Sequence, residues 1–236
     1  MKNVFLIGYG KWGKKIFNSL KQIKSISKIQ IKKNTLDKKK IDLTHIDWVF
    51  VTTRTNQHYQ IVKKYLNKKI NVFCEKPLST NSLNDKKLYN LAKKNNCKLY
   101  VSDIENYKNI SFNLKKENFI VRSKFSDNKK DILSRLAYHD FTYIYNKLKK
   151  KTIQNIKIIS KKKGELIFLL KIDNKKFYFN YSLNSKKNIH TFNKINFRIK
   201  KNFLKNMISD VIFEKVNFKK NKDLSIFANT IINSIK

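Results

Sequence analysis

VFLIGYGKWGK, residues 4–14, is an apolar run that breaks into glycines and then into a helix. Val4 to Ile7 are four consecutive apolar residues with no alternation, which predicts a strand buried on both faces, as in a parallel sheet. Gly8, Gly10 and Gly13 follow at G-x-G-x-x-G spacing. The first permits a tight turn, the second lets backbone approach a pyrophosphate with no Cβ in the way, and the third lets helix pack closely on strand. The free N–H groups of the helix start then face the phosphates. The chain has four glycines, and three of them are here. An ordinary strand, turn and helix with no ligand is the other reading of the same residues.

Outward from this stretch, Lys14 to Ile23 carries Ile16, Phe17, Leu20 and Ile23 on one helical face, and Lys28 to Ile31 is a short second strand. About twenty residues past the last glycine, dinucleotide folds often place an Asp or Glu for the ribose hydroxyls. This chain has Lys32, Lys33 and Asn34 there. Cations at this point suit the 2′-phosphate of NADP, so the expectation is NADP or NAD with a lean to NADP. Asp47 to Thr53 reads as a third strand, Thr55 or Asn56 as the cap of a helix facing inward with Ile61, Val62, Tyr65 and Leu66, and Ile70 to Cys74 as a fourth strand. Ser79 to Lys94 is amphipathic, and Lys98 to Val101 is a fifth strand. Alternating strands and helices with short loops predict a doubly wound α/β domain around a parallel sheet.

Beyond Asp103 the rhythm changes. Phe119 to Phe125 reads as a strand and Asp131 to Leu148 as a helix. Leu166 to Ile172 and Phe177 to Leu183 flank Asp173-Asn174, a hairpin turn. Phe192 to Ile199 and Val211 to Phe218 read as further strands, and Leu224 to Ile235 as a closing helix. Strands without intervening helices predict a smaller α+β domain of mostly antiparallel strands. The domains are therefore set at 1–108 and 109–236.

Length and composition bound the function. A chain of 236 residues holds one large or two small domains, and 41% hydrophobic with 13% aromatic content predicts a packed core rather than disorder. Against 16 acidic residues stand 54 Lys and Arg, a net charge of +38. Such charge suggests nucleic acid or an anionic membrane surface. Yet the only arginines are Arg54, Arg122, Arg135 and Arg198, and the lysines are spread along the chain beside abundant Asn, Ile and Phe. Base-reading surfaces favour arginine and cluster their charge, so the excess reads as compositional bias and no specific nucleic-acid partner is expected. Cys74 and Cys97 have no metal-ligand spacing and no charged n-region or apolar h-region before them; the expectation is a reduced, cytoplasmic protein with no metal site and no membrane span.

Three motifs, GYGKWG at 8–13, VFVTTRTNQHYQIVKKYLNKKINVFCEKPLS at 49–79 and LAYHDFTYI at 136–144, together resemble the Gfo/Idh/MocA oxidoreductases, the family of glucose-fructose oxidoreductase and inositol dehydrogenase. The resemblance implies a Rossmann domain binding a nicotinamide cofactor and a sugar, nucleotide-sugar or cyclitol substrate held between the domains. It implies Lys76 as the residue that hydrogen-bonds the reacting hydroxyl and His139 as the general acid–base, with a cis Lys76-Pro77 bond. Imidazole titrates near neutrality, and an ammonium stabilises a developing alkoxide. The cofactor set it implies is Gly8, Tyr9, Gly10, Lys11, Trp12, Gly13, Lys32, Lys33, Thr52, Thr53, Arg54, His58, Glu75 and Lys76. Lys76, Arg135 and His139 are expected on the substrate, and a homo-oligomer is expected through the C-terminal sheet. Two positions depart from the family. Arg135 stands where an Asp is common, one helical turn before the His, and Thr53-Arg54 replaces the usual Thr-Pro. The expected function is hydride transfer to or from a sugar or nucleotide-sugar hydroxyl or ketone. A non-catalytic dinucleotide-binding relative and a basic nucleic-acid module are the alternatives.

Overall fold

A computed structural model of the chain describes residues 1–38, 40–199 and 202–235. The chain divides into two compact units, residues 1–107 with 202–229, and residues 108–201 with 230–236.

The first unit is built on five parallel strands in the order β2-β1-β3-β4-β5. They are β1 (Lys2–Ile7), β2 (Ile26–Lys32), β3 (Trp48–Val51), β4 (Asn71–Cys74) and β5 (Leu99–Val101). Every residue of β3 and β5 is buried, the signature of strands covered on both faces. Helices α1 (Lys11–Lys21), α2 (Thr55–Asn67) and α3 (Ser82–Lys94) are the crossovers. β1 lies between β2 and β3, so the chain turns one way after β1 and the other way after β2. The carboxyl ends of β1 and β3 thus flank a topological switch point, where open α/β sheets bind ligands.

The second unit has six strands in the order β11-β10-β6-β9-β8-β7, with β6 and β9 parallel and the other pairs antiparallel. They are β6 (Glu117–Phe125), β7 (Ile153–Lys162), β8 (Glu165–Ile172), β9 (Lys175–Ser182), β10 (Asn184–Phe192) and β11 (Ile195–Asn196). Along β8 buried residues alternate with half-buried ones, as one covered face requires. On that face Phe168 stacks on Phe179 at 4.5 Å, and Phe141 of α4 (Tyr138–Lys147) meets Phe179 edge-on at 5.5 Å. Asp173 and Asn174 both have positive φ, 51° and 58°, and close β8 onto β9 as the sequence predicts.

Four expectations need correction. Val211 to Phe218 is not a strand; Leu204, Met207, Ile208, Val211 and Ile212 fall at helical spacing, and all are buried in α5 (Leu204–Ile212). That face packs into a cluster with Val4, Leu6, Ile16 and Trp48, so residues 202–229 return to the first unit instead of continuing the second, as the 109–236 boundary supposed. Phe192 to Ile199 is not one strand, because Asn193 and Lys194 turn at φ 49° and 69° and fold β11 back on β10. Asp131 to Leu148 opens as a wider π turn, Leu133–Ala137, before α4. β7 escaped the sequence reading; it is a lysine-rich edge strand with no buried residue. The last helix, α6, runs Phe218–Ile235. Among the described residues no helix is long and apolar enough to cross a membrane.

Candidate functional site

The glycine turn is shaped by what each missing Cβ would meet. Gly8 has φ 95°, and a Cβ there would lie 2.7 Å from the Thr52 backbone. A Cβ on Gly13 would run into the Gly8 carbonyl, so this glycine sets the close approach of α1 to β1. Gly10 differs: an added Cβ would meet nothing within 4 Å. Gly8 and Gly13 serve packing, and Gly10 leaves an open face.

That face borders a cavity of about 500 Å³ at the carboxyl ends of β1, β2 and β3. Its walls are Gly8 to Trp12 from the glycine turn, Lys33 to Leu36 after β2, and Thr52, Thr53, Arg54 and Gln57 after β3. Among the described residues three cations, Lys11, Lys33 and Arg54, line it, and no carboxylate does. Gly10 is the N-cap of α1 and Arg54 that of α2, and neither gives a side-chain cap; this corrects the expectation that Thr55 or Asn56 caps α2. Two helix starts with N–H groups unserved by caps therefore open on one cationic cavity. This donor set fits the diphosphate of a dinucleotide.

The walls are tied together. Gly8 N–H donates to the Lys32 carbonyl at 3.0 Å and Tyr9 N–H to that of Lys33 at 2.9 Å. Thr52 Oγ1 donates to the Gly8 carbonyl at 2.6 Å. Gln57 Nε2 donates to Thr35 Oγ1 at 3.1 Å, and the Asn34 side chain accepts the N–H groups of Leu36 and Asp37, which folds that segment back to the cavity. Thr35, Leu36 and Gln57 were missed in the sequence; an Asn-initiated turn after β2 was the available signal. Of the expected cofactor residues, Gly13, Lys32, His58, Glu75 and Lys76 stand outside this cavity's lining.

Lys76 follows β4, and the Lys76-Pro77 bond is cis. The turn bearing it is held by His58, whose Nδ1 lies 2.9 Å from the Pro77 carbonyl and whose Nε2 lies 3.1 Å from that of Thr53. Burial outweighs these two carbonyls and lowers the His58 pKa below its ordinary 6.5. The folded chain thus favours the neutral ring. The unfolded chain takes the proton first as pH falls, so the His58 contribution is present above about pH 6.5 and is lost below it. The neutral ring has one N–H and so serves one of the two carbonyls; His58→Ala is expected to cost about 1–2 kcal/mol at neutral pH by stranding that carbonyl, and to flatten that acid-side loss. Denaturant unfolding at several pH values checks both effects.

Glu75 has a buried carboxyl, and burial raises its pKa. The Trp12 indole and the Ser102 hydroxyl act against that rise. Neither Trp12 Nε1 nor Glu75 Oε1 reaches hydrogen-bond geometry, so Trp12 helps by proximity of its N–H dipole.

In the second unit His139 lies in the first turn of α4, 8% exposed. Its neighbour Asp140 is fully buried and fixes that turn to the sheet. It accepts from His190 Nε2 at 2.6 Å and Tyr181 Oη at 2.9 Å, and pairs with Arg122 at 3.4 Å. Burial pushes the Asp140 carboxyl up, but the charges of His190 and Arg122 and the hydrogen bonds together hold it below the usual range. The sequence reading assigned His190 no role and placed nothing on Asp140 or Arg122; only the fold brings β6, β9 and β10 to one point. Arg135 sits in the π turn and donates to the Asn128 carbonyl. Lys124 lies two residues beyond Arg122 on β6, half-buried. Burial lowers its pKa, and so do the charges of Arg122 and Arg135.

Residues 27–103 match the model of an oxidoreductase family with an NAD-binding Rossmann fold, GFO_IDH_MocA. No curated protein matches the chain by sequence. Among solved structures, UDP-N-acetylglucosamine 3-dehydrogenase GnnA from Acidithiobacillus ferrooxidans superposes with a TM-score of 0.82 at 11% identity, covering 99% of this chain and 96% of that one. The WlbA (WbpB) dehydrogenase from Thermus thermophilus, in complex with NAD and UDP-GlcNAcA, gives 0.76 at 10% identity, covering 98% and 93%. An oxidoreductase from Agrobacterium radiobacter, in complex with NAD+, L-tartaric acid and magnesium, gives 0.72 at 10% identity, covering 98% and 94%. Residues 27–103 thus match the model of an oxidoreductase family with an NAD-binding Rossmann fold, and nearly the whole chain shares its fold with these three solved structures.

Proposed function

We propose that the chain is an NAD(P)-dependent oxidoreductase that transfers hydride to or from a hydroxyl or ketone of a sugar or nucleotide sugar. The observation that carries this reading is the cavity at the switch point, whose walls, among the described residues, hold three cations, no carboxylate and two uncapped helix starts. A bound nicotinamide supplies the hydride acceptor or donor. The chain's own residues do the rest. Lys11 and Arg54 neutralise the diphosphate, Gly10 admits it, and Lys33 meets a 2′-phosphate. His139 takes or returns the hydroxyl proton, and Lys76 stabilises the charge that develops on oxygen.

The half-buried Arg122, Lys124 and Arg135 favour a substrate that carries phosphate or carboxylate. Like charges gathered this closely, with the one buried carboxylate of Asp140 among them, are relieved by an anion. UDP-GlcNAcA, bound by the Thermus thermophilus dehydrogenase, is such a molecule. Arg135 also supports the second reading, a dinucleotide-binding relative without turnover, since it replaces a carboxylate common in the family.

A screen of nucleotide sugars and simple sugars with NAD and NADP, read by the absorbance of reduced nicotinamide, tests the function. Turnover is expected with anionic sugars. Tight dinucleotide binding with no turnover on any of them supports the second reading. In the same assay Lys33→Ala is expected to weaken NADPH by about tenfold, the loss of roughly 1.4 kcal/mol, and to leave NADH unchanged. Equal losses would show that Lys33 does not read the 2′-phosphate.

A further inference from the structure

Asp85 is 0% exposed at the start of α3, outside every residue set considered above. Its Oδ1 lies 2.5 Å from Ser79 Oγ, and its Oδ2 accepts from Asn229 Nδ2 of α6 at 2.7 Å. Ser79 Oγ in turn lies 2.6 Å from the Asn81 carbonyl and accepts from Asn81 N–H at 3.2 Å. Asn229 Nδ2 also lies 3.2 Å from the Ser79 carbonyl. A hydroxyl carries one proton. Ser79 cannot donate both to the Asn81 carbonyl and to an ionised Asp85, yet both distances are those of short hydrogen bonds. A proton on Asp85 Oδ1 resolves the conflict: Asp85 donates to Ser79 Oγ, and Ser79 donates to Asn81. Ser79 Oγ then uses its proton and both lone pairs.

We propose that Asp85 is a positioning residue that works in its protonated form, closing a hydrogen-bond chain from Asn229 through Ser79 to Asn81 that fixes the turn bearing Lys76. The proposal rests on the reading of Lys76 as a site residue. Ser79 stands three residues after Lys76, and Pro77 between them is held from the other side by His58, so the turn is fastened at two points. The surroundings suit a neutral carboxyl. Facing Asp85 are the thiol of Cys74 from β4, the phenol of Tyr89 from α3, Ser79 from the turn and Asn229 from α6, and burial raises both the thiol and the phenol. Among the described residues none of these brings a positive charge. Burial pushes the Asp85 carboxyl from 3.8 up to about 6, against the opposing hydrogen bonds of Ser79 and Asn229.

The sign of the pH dependence follows. The folded chain holds this proton more tightly than the unfolded chain, so the Asp85 contribution is complete below about pH 3.8 and is lost as pH rises through about 6. Asp85→Asn reproduces the neutral pattern, with an amide N–H toward Ser79 and a carbonyl toward Asn229. Both tryptophans, Trp12 and Trp48, are in the first unit, so tryptophan fluorescence in urea reports the unit that contains Asp85. Relative to Asp85→Asn, the wild-type folding constant is expected to fall by about a hundredfold between pH about 4 and about 8. The variant should be the more stable of the two at the upper end. Asp85→Asn less stable than wild type at every pH would overturn the proposal, because an ionised Asp85 would then be the working form. An infrared carbonyl band of a protonated carboxyl in the folded wild-type chain, absent from Asp85→Asn, reports the same proton; its absence in a folded chain also overturns the proposal. Turnover separates positioning from bulk stability: where substrate is found, the wild-type rate should carry a step near pH 6 that Asp85→Asn lacks. The stability and infrared results stand even if no sugar is turned over, so a failure of the proposed function is distinguishable from a failure here.

Discussion

Replacing Gly10 by Ala is expected to leave the first unit as stable as wild type and to weaken dinucleotide binding by about a hundredfold. A Cβ at this position meets no protein atom within 4 Å, so nothing in the fold resists it. It enters the cavity where the α1 start would receive a phosphate, and losing one or two charge-assisted bonds of roughly 1.5–3 kcal/mol each gives that factor. Gly13→Ala is expected to do the reverse in kind. Its Cβ would collide with the Gly8 backbone, so α1 must shift against β1, at about 3 kcal/mol or more of stability. One motif thus contains a position that reports on ligand and a position that reports on packing. Thermal unfolding and tryptophan-monitored titration of both variants separate them. Equal loss of stability in the two would contradict the division of labour.

The second large effect is on the chemical step. His139→Ala is expected to lower turnover by about 10² to 10⁴ while dinucleotide affinity stays within a few-fold. His139 belongs to the second unit and the lining of the dinucleotide cavity to the first, and the helix turn that bears His139 is held by Asp140 through His190, Tyr181 and Arg122. Those three anchors of the turn remain when the ring is removed. The pH–rate profile should lose the limb that its titration supplies. A rate unchanged by the substitution would assign the proton to another group.

Local chemistry carried the first unit in the sequence. Val4 to Ile7, the three glycines and Trp48 to Val51 each state their conformation within ten residues, and the structure has them as read; the cis Lys76-Pro77 bond was implied by the family resemblance instead. Nine residues expected on the cofactor, from Gly8 to Trp12 and then Lys33, Thr52, Thr53 and Arg54, do line one cavity. What stayed hidden depends on long-range pairing. α5 was mistaken for a strand because its apolar residues were read from Val211 onward, and the i, i+3, i+4 spacing becomes visible only when Leu204 and Met207 are included. β7 has no buried position, so its pattern carries no period; Gly164, the fourth glycine, with φ 77° in the β7–β8 hairpin, was the local clue. The Asp140 cluster joins residues 18, 41 and 50 positions apart, and Asp85 meets Asn229 across 144. No spacing rule reaches such pairs.

The cationic cavity at the glycine turn is proposed to hold a nicotinamide dinucleotide. Titrating NADH and NADPH separately into the wild-type chain, with the fluorescence of Trp12 on the cavity wall as the signal, tests it most directly. Saturable binding of one dinucleotide per chain is expected, with NADPH the tighter. A flat response to both, confirmed by calorimetry, would contradict it.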